Sequence, residues 1–185
     1  MGKSQAAYGA WVDRYLISVC GPNGAGKSTF TRSVLSTLGL PIVDPDLYSS
    51  QGVSEIAAGK IAIRLINDYL DRGISFIKES TLTSNFDARI MARAKNLGYA
   101  NVLIYLTLPS VEASLHRVER RVLAGGHSIP EEAIRRRFYK SRANLEALKD
   151  KVDYCYIINA ANTRLDPEFQ KANKFLRNIG DSPAD

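Results

Sequence analysis

The sequence predicts an α/β fold: a P-loop-like parallel sheet of about five strands with helices on both faces and a helical lid that carries arginines. Three observations lead there. Short apolar runs of strand length alternate with longer stretches of helical periodicity, the pattern of successive βα units. One strand-to-helix junction, from Gly21 to Thr29, is built on glycines. The basic excess is gathered between Arg117 and Arg142 instead of being spread along the chain.

The apolar run Tyr15–Cys20 reads as the first strand. A helix is expected to leave the glycine-rich junction and carry Val34, Leu35 and Leu38 to a stop at Gly39. Residues 41–43 form a second short strand. A helix over 54–72 follows, with Ile56, Ile63, Ile66 and Leu70 toward one face and Gly73 closing it. A third strand is expected over 74–77, then a helix over 84–97 on which Phe86, Ile90, Ala94 and Leu97 recur at helical spacing. The fourth strand spans 101–108. Ser110 caps a helix whose Val111, Leu115, Val118 and Val122 make an apolar stripe ending at Gly125-Gly126, with basic residues on its other faces. Ser128-Ile129-Pro130-Glu131 has the form of a capping box with proline in the first turn, opening a helix to residue 149. A fifth strand over 152–158 and a last helix over 167–178 complete the fold, and the tail beyond Gly180 is expected to fray.

With 185 residues, 45% of them hydrophobic and 24% charged, the chain suits a single domain, 1–185, with its lid over 110–149. No apolar run approaches the roughly 18 residues of a membrane span. The N-terminus lacks an apolar signal core and has Ala6 where a myristoylation signal needs Ser or Thr, so neither export nor an anchor is expected. Cys20 and Cys155 are too few for a disulfide framework, which points to the reducing cytoplasm. A net charge of +6 and a pI near 9.4 call for a negative ligand. Because the excess is one local block, a phosphate-bearing small molecule is favoured over nucleic acid. His116 and His127 do not make a metal cage, and Tyr8, Trp11 and Tyr15 are expected to pack.

Gly21-Pro22-Asn23-Gly24-Ala25-Gly26-Lys27-Ser28 matches G-x-x-x-x-G-K-[ST], between a strand and a helix as that motif requires. Its glycines let the backbone wrap a polyphosphate, the amides at the helix start point inward, Lys27 reaches the outer phosphates, and Ser28 ligates magnesium. Gly21 to Thr29 are therefore the candidate nucleotide site. The Asn-Lys-x-Asp and D-x-x-G elements of GTPases are absent, and no strand ends in the paired acids of motor ATPases. A small kinase remains.

Ligands of open parallel sheets bind at the carboxyl ends of the strands, so an acid is sought there. The second strand ends in Asp44-Pro45-Asp46 and the third in Lys78-Glu79-Ser80-Thr81. Asp46 is the candidate to accept a proton from, or to orient, the attacking hydroxyl, and Glu79 to hold magnesium or substrate. Asp44 suits turn chemistry around Pro45. Arg117, Arg120 and Arg121 lie three or four residues apart off the apolar stripe, and Arg135, Arg136 and Arg137 open the next helix. A hinged lid carrying them can stabilise the charge spread over a migrating phosphoryl group and exclude water.

These segments resemble, in order, the zeta toxin family of small kinases: the phosphate loop, Asp44-Pro45-Asp46, Glu79-Ser80-Thr81-Leu82-Thr83-Ser84, Gly98-Tyr99, and Arg117-Val118-Glu119-Arg120-Arg121-Val122. Gly125-Gly126-His127-Ser128-Ile129-Pro130-Glu131 and Ile134-Arg135-Arg136-Arg137-Phe138 continue the likeness, which runs from Val19 to Leu148. The resemblance implies a P-loop kinase that transfers the γ-phosphate of ATP, with magnesium, to a sugar hydroxyl of UDP-N-acetylglucosamine or a related UDP-sugar, and that is held by a small helical antitoxin. Carried over, Lys27 binds the transferring phosphate, Ser28 and Glu79 the metal, and Asp46 is the base. Asp46, Glu79 and Thr81 face the acceptor, Arg117 the nucleotide, and Arg120 or Arg121 with Arg136 or Arg137 the phosphate. With about twenty residues ahead of the loop, no fused antitoxin domain is expected. Relatives show Asp-Asn-Ser beside the adenine where this chain has Asn159-Ala160-Ala161-Asn162. Transfer to another hydroxyl (a nucleoside, a nucleic-acid end, a simple sugar) and a nucleotide-switched nucleic-acid binder are the competing readings.

Overall fold

The computed structural model describes residues 14–49, 51–126 and 128–180. Five strands, β1 (Tyr15–Cys20), β2 (Ile42–Val43), β3 (Phe76–Ser80), β4 (Ala100–Thr107) and β5 (Tyr154–Asn159), form one all-parallel sheet in the order β2-β3-β1-β4-β5. The α/β class with helices on both faces is thus as expected. Alternating residues of β1 feed two cores: Leu16 and Cys20 one, Ile17 and Val19 the other. The first core is closed by α3 (Glu55–Arg72) and α4 (Asn85–Asn96), through Ile66, Leu70, Ile90 and Met91. The second is closed by α1 (Lys27–Phe30) and α7 (Pro167–Gly180), through Phe30 and Leu176. Between them, α5 (Val111–Leu123) and α6 (Glu131–Leu148) form the expected helical pair, with Phe138 in one core and Leu145 in the other.

Serines cap three helices, Ser110 as its position predicts. Ser54, Ser84 and Ser110 accept from the amides of Ala57 at 3.3 Å, Phe86 at 3.3 Å and Ala113 at 3.2 Å. The capping box at Ser128 does not form. Helix α6 starts at Glu131 with Pro130 as its flanking residue, and the Glu131 carboxylate takes the Arg135 guanidinium at 2.8 Å instead of reaching back. The helix after the phosphate loop is shorter than the periodicity suggests: past α1 it widens to a π turn over Thr31–Leu35 and tightens to a 3₁₀ turn over Ser36–Leu38, then stops at Gly39 as expected. A short helix, α2 (Pro45–Ser49), stands where only a turn was expected, because Asp44 accepts from the Asp46 amide at 3.0 Å and proline suits a first helical position.

On α3 the buried stripe is Ala58, Ala62, Ile66 and Leu70; Ile56 is 75% and Ile63 43% exposed. The small alanines, not the isoleucines, let the helix lie close to the sheet. Val122, expected in the apolar stripe of α5, is 36% exposed. Both described cysteines are free thiols, and burial pushes that of Cys20 up to about 12. Tyr15 packs edge-on against Phe175, whereas Tyr8, Trp11 and His127 lie outside the described residues.

Strand β3 also departs from expectation, starting two residues later and running three further to take in Lys78, Glu79 and Ser80. A strand reading stops at charged residues, yet Lys78 is 2% exposed and forms an ion pair with Asp87, itself 2% exposed. Ser80 donates to the second Asp87 oxygen at 3.0 Å. A buried charge is tolerated only when paired and hydrogen-bonded. Asp87→Ala, which strands the Lys78 ammonium, is therefore expected to destabilise the fold by about 3–5 kcal/mol in urea unfolding at neutral pH. A loss under about 1 kcal/mol, the worth of an exposed pair, would show that Lys78 reaches water.

Candidate functional site

The phosphate loop joins β1 to α1, and its conformation is dictated by neighbours on both sides. Gly21 has φ +145, and a Cβ there would lie 2.4 Å from the Leu106 carbonyl oxygen of β4. Gly24 has φ +76 with α5 pressed against it, so that a Cβ would sit 3.0 Å from both the Arg117 Cβ and the Ser114 oxygen. Only glycine fits either place. Ser114 Oγ donates to the Asn23 carbonyl at 2.5 Å, and Arg117 donates to the carbonyls of Gly24 at 3.4 Å and Ala160 at 3.1 Å. One arginine thus ties the loop to the segment after β5.

Lys27 Nζ donates to the carbonyls of Gly21 at 3.1 Å and Pro22 at 3.2 Å, which holds the ammonium across the mouth of the loop. Burial lowers its pKa, against the opposing pull of Glu79 and Asp46. Ser28 Oγ donates to Glu79 Oε2 at 2.8 Å. Burial raises the pKa of Glu79, with Asp44 pushing the same way and Ser28 and Lys27 resisting. Asp44 is also raised, first by its own burial. A hydroxyl beside a carboxylate is a hard-oxygen donor pair of the sort magnesium prefers. Among the described residues no cluster of three or more His, Cys, Asp or Glu could hold a metal alone. A magnesium ion held there would need phosphate oxygens and water to complete its shell, and the donor pair Ser28 and Glu79 fits that use.

Two clefts of about 920 Å³ each flank the loop. One opens beside Phe30, Ser33, Arg164, Phe169 and Asn173; the other collects Lys27, Ser28, Asp46, Glu79 and Thr81. Arg117 lines both. Of the lid arginines, Arg121 and Arg137 line the second cleft, while Arg120 and Arg136 are exposed and away from its wall. Asn23, Gly24, Gly26 and Thr29 line that cleft too, Ala25 lines the first, and Gly21 and Pro22 are buried behind the loop.

The family model described as Zeta toxin matches residues 13–167. The chain belongs to the zeta toxin family. It is accordingly a P-loop phosphotransferase, an ATP-dependent kinase. An uncharacterized protein of Haemophilus influenzae is 35% identical over 128 residues, 66% of this chain and 91% of that one. A provisionally named kinase of Chloroflexus aurantiacus superposes with a TM-score of 0.63 at 18% identity, over 90% of this chain and 98% of that one. A structure from the PezAT toxin–antitoxin system of Streptococcus pneumoniae gives a TM-score of 0.57 at 16% identity, over 96% and 92%. Such low identities speak for a shared fold.

Within this zeta toxin fold, the second cleft also takes in Lys78, Asp87, Arg32 and Arg89, which the sequence reading did not single out. Arg32 and Arg89 are ordinary surface arginines by sequence. Lys78 and Asp87 did leave a signal, a lysine inside an apolar run with an acid in the first turn of the next helix.

Glu79→Gln tests the electrostatic tension at the centre. The folded-state pKa of Glu79 lies above its unfolded value, so the carboxylate opposes folding at neutral pH and does so less as the pH falls and the proton returns. The ligand-free variant is expected to melt at a higher temperature than the parent at mildly alkaline pH, with the gap narrowing on acidification. Equal melting curves at all pH values would sink the assignment of burial as the dominant influence.

Proposed function

We propose that the protein transfers the γ-phosphoryl group of ATP to a sugar hydroxyl of UDP-N-acetylglucosamine or a closely related UDP-sugar. The observation that carries this reading is the gathering of Lys27, Ser28, Asp46, Glu79, Arg121 and Arg137 around one cleft beside the phosphate loop. Membership of the zeta toxin family supports the acceptor class. The apolar stretch of the same wall, Ala62, Ile63, Ile66 and Phe86, suits the flat faces of a nucleotide sugar.

In this reading Asp46 takes the proton of the acceptor hydroxyl as its oxygen attacks the γ-phosphorus, and the bond to the departing ADP oxygen breaks. Asp44 fixes Asp46 by capping α2, so the base stands on a short helix and not on a loose turn. Lys27 moves from the loop carbonyls to the transferring phosphate. Arg121 and Arg137 face the charge on the migrating group, and α5 and α6 keep water from it. Glu79 and Thr81 hold the acceptor side. Magnesium, when bound, neutralises charge on the phosphate oxygens, and Ser28 with Glu79 are the residues that would hold it. Reaction in the cytoplasm is consistent with two free cysteines and a need for ATP. A small helical antitoxin is the proposed partner, since the S. pneumoniae neighbour comes from a toxin–antitoxin system.

The first experiment incubates purified protein with ATP, magnesium and UDP-N-acetylglucosamine and looks for one added phosphate by mass. A product that vanishes in Asp46→Ala settles acceptor and base together; untouched UDP-N-acetylglucosamine beside intact ATP binding removes the acceptor. Asp46→Ala is expected to bind ATP normally while turnover drops about 10²- to 10⁴-fold. The lid arginines separate by position: Arg121→Ala and Arg137→Ala should each slow turnover by about 10²-fold or more, whereas Arg120→Ala and Arg136→Ala stay near the parent rate. Equal losses at all four positions would mean that the lid closes in a different register.

A further inference from the structure

Leu82 is the one non-glycine residue with a positive φ, +57, among the described residues, and it is fully buried. A large side chain rarely holds that conformation without help, and such outliers cluster at functional sites. Help comes from both sides. The Leu82 amide donates to Ser80 Oγ at 2.9 Å, and Ser80 is bonded to Asp87, the partner of Lys78. The Leu82 carbonyl accepts from Asn144 Nδ2 at 2.8 Å. The Leu82 side chain sits in the same core as Leu145 and Leu148 of α6.

The turn so held is a wall of the acceptor cleft: Ser80, Thr81, Thr83 and Ser84 line it, with the Thr81 and Thr83 hydroxyls 3.0 Å apart. Asn144 lies on α6, the helix that carries Arg137, seven residues further along and therefore on the same face two turns away. Tyr105 and Ser141, whose oxygens are 3.0 Å apart, fix that end of α6 to β4. One side chain thus connects the acceptor wall to the helix that presents an arginine to the phosphate.

We propose that Asn144 is a positioning residue, which through the Leu82 carbonyl locks turn 81–84 to α6 so that the acceptor seat and Arg137 keep one fixed spacing. This rests on the reading of that cleft as the acceptor side. In-line transfer tolerates little misplacement between nucleophile and phosphate, so a wall tied to the arginine helix guards the geometry on which rate depends. Asn144 touches neither substrate in this account and acts only through the turn.

Two variants test it. Asn144→Asp keeps the shape and deletes the donor, and Asn144→Ala, a good helix residue, keeps a folded protein available if the new charge is not tolerated. Both are expected to raise KM for UDP-N-acetylglucosamine by about tenfold, the factor an ordinary lost hydrogen bond gives, to lower kcat as the acceptor and Arg137 lose their spacing, and to leave the ATP dissociation constant within about twofold. Amide exchange across 81–84 should quicken by about the same tenfold while β1 and β4 exchange as in the parent. An unchanged KM overturns the proposal, and so does a loss of ATP affinity in step with faster exchange throughout the sheet, which would mean general loosening. If the parent protein does not phosphorylate UDP-N-acetylglucosamine, the acceptor reading falls separately, and the exchange result then decides: local quickening at 81–84 upholds the tether, and parent-like exchange overturns it.

Discussion

The active region depends on one constraint, the close approach of the phosphate loop to backbone on two sides. Gly21 lies against the Leu106 carbonyl, where a methyl group would collide, and Gly24 against α5, where a side chain would be both crowded and strained by φ +76. Once the loop is wedged there, the remaining geometry follows. Its carbonyls fix Lys27, the start of α1 places Ser28 against Glu79, and Arg117 closes the loop against the segment after β5. A pre-shaped cradle of this kind has already met the ordering cost that an unstructured glycine run would meet on binding polyphosphate.

The same cradle makes the centre electrostatically uneasy. Burial shifts Lys27 down and Glu79 and Asp44 up, so each of the three finds its charged form harder to hold than it would in water. The attraction of Lys27 for both carboxylates offsets part of that penalty, the repulsion between Glu79 and Asp44 adds to it, and the arrival of phosphate charge alters it further. Sites that bind and move charged groups commonly keep tension of this sort and draw on the rest of the fold to hold it. Here the two apolar cores on either side of the sheet supply the stability.

Much of this was legible in the sequence, and the parts that were not share a cause. Strands β1 and β4, the phosphate loop, the Ser110 cap and the glycine stops rest on local rules, and the structure obeys them. The features that escaped are those in which distant residues cancel a local penalty. Lys78 continues a strand because Asp87 neutralises it, and Leu82 accepts a left-handed backbone because Ser80 and Asn144 hold its amide and carbonyl. The choice between Arg120 and Arg121, or Arg136 and Arg137, depends on which flank of each helix turns toward the cleft. Spacing alone leaves that rotation open. The unforeseen helix α2 is a milder case, since Asp-Pro-Asp signals a turn and a helix start equally well.

The shortness of β2 has a consequence for how a bulky molecule gets in. It pairs with β3 over two residues, whereas β1 is matched to β3 over five and to β4 over six. Few ladder bonds need part for this margin to lift, and the segment beyond it, which begins with Asp44, Pro45 and Asp46, forms one bank of the second cleft. The two-residue β2 ladder is therefore the weaker margin, beside the second cleft, while the phosphate loop leaves β1, the third strand in from that edge.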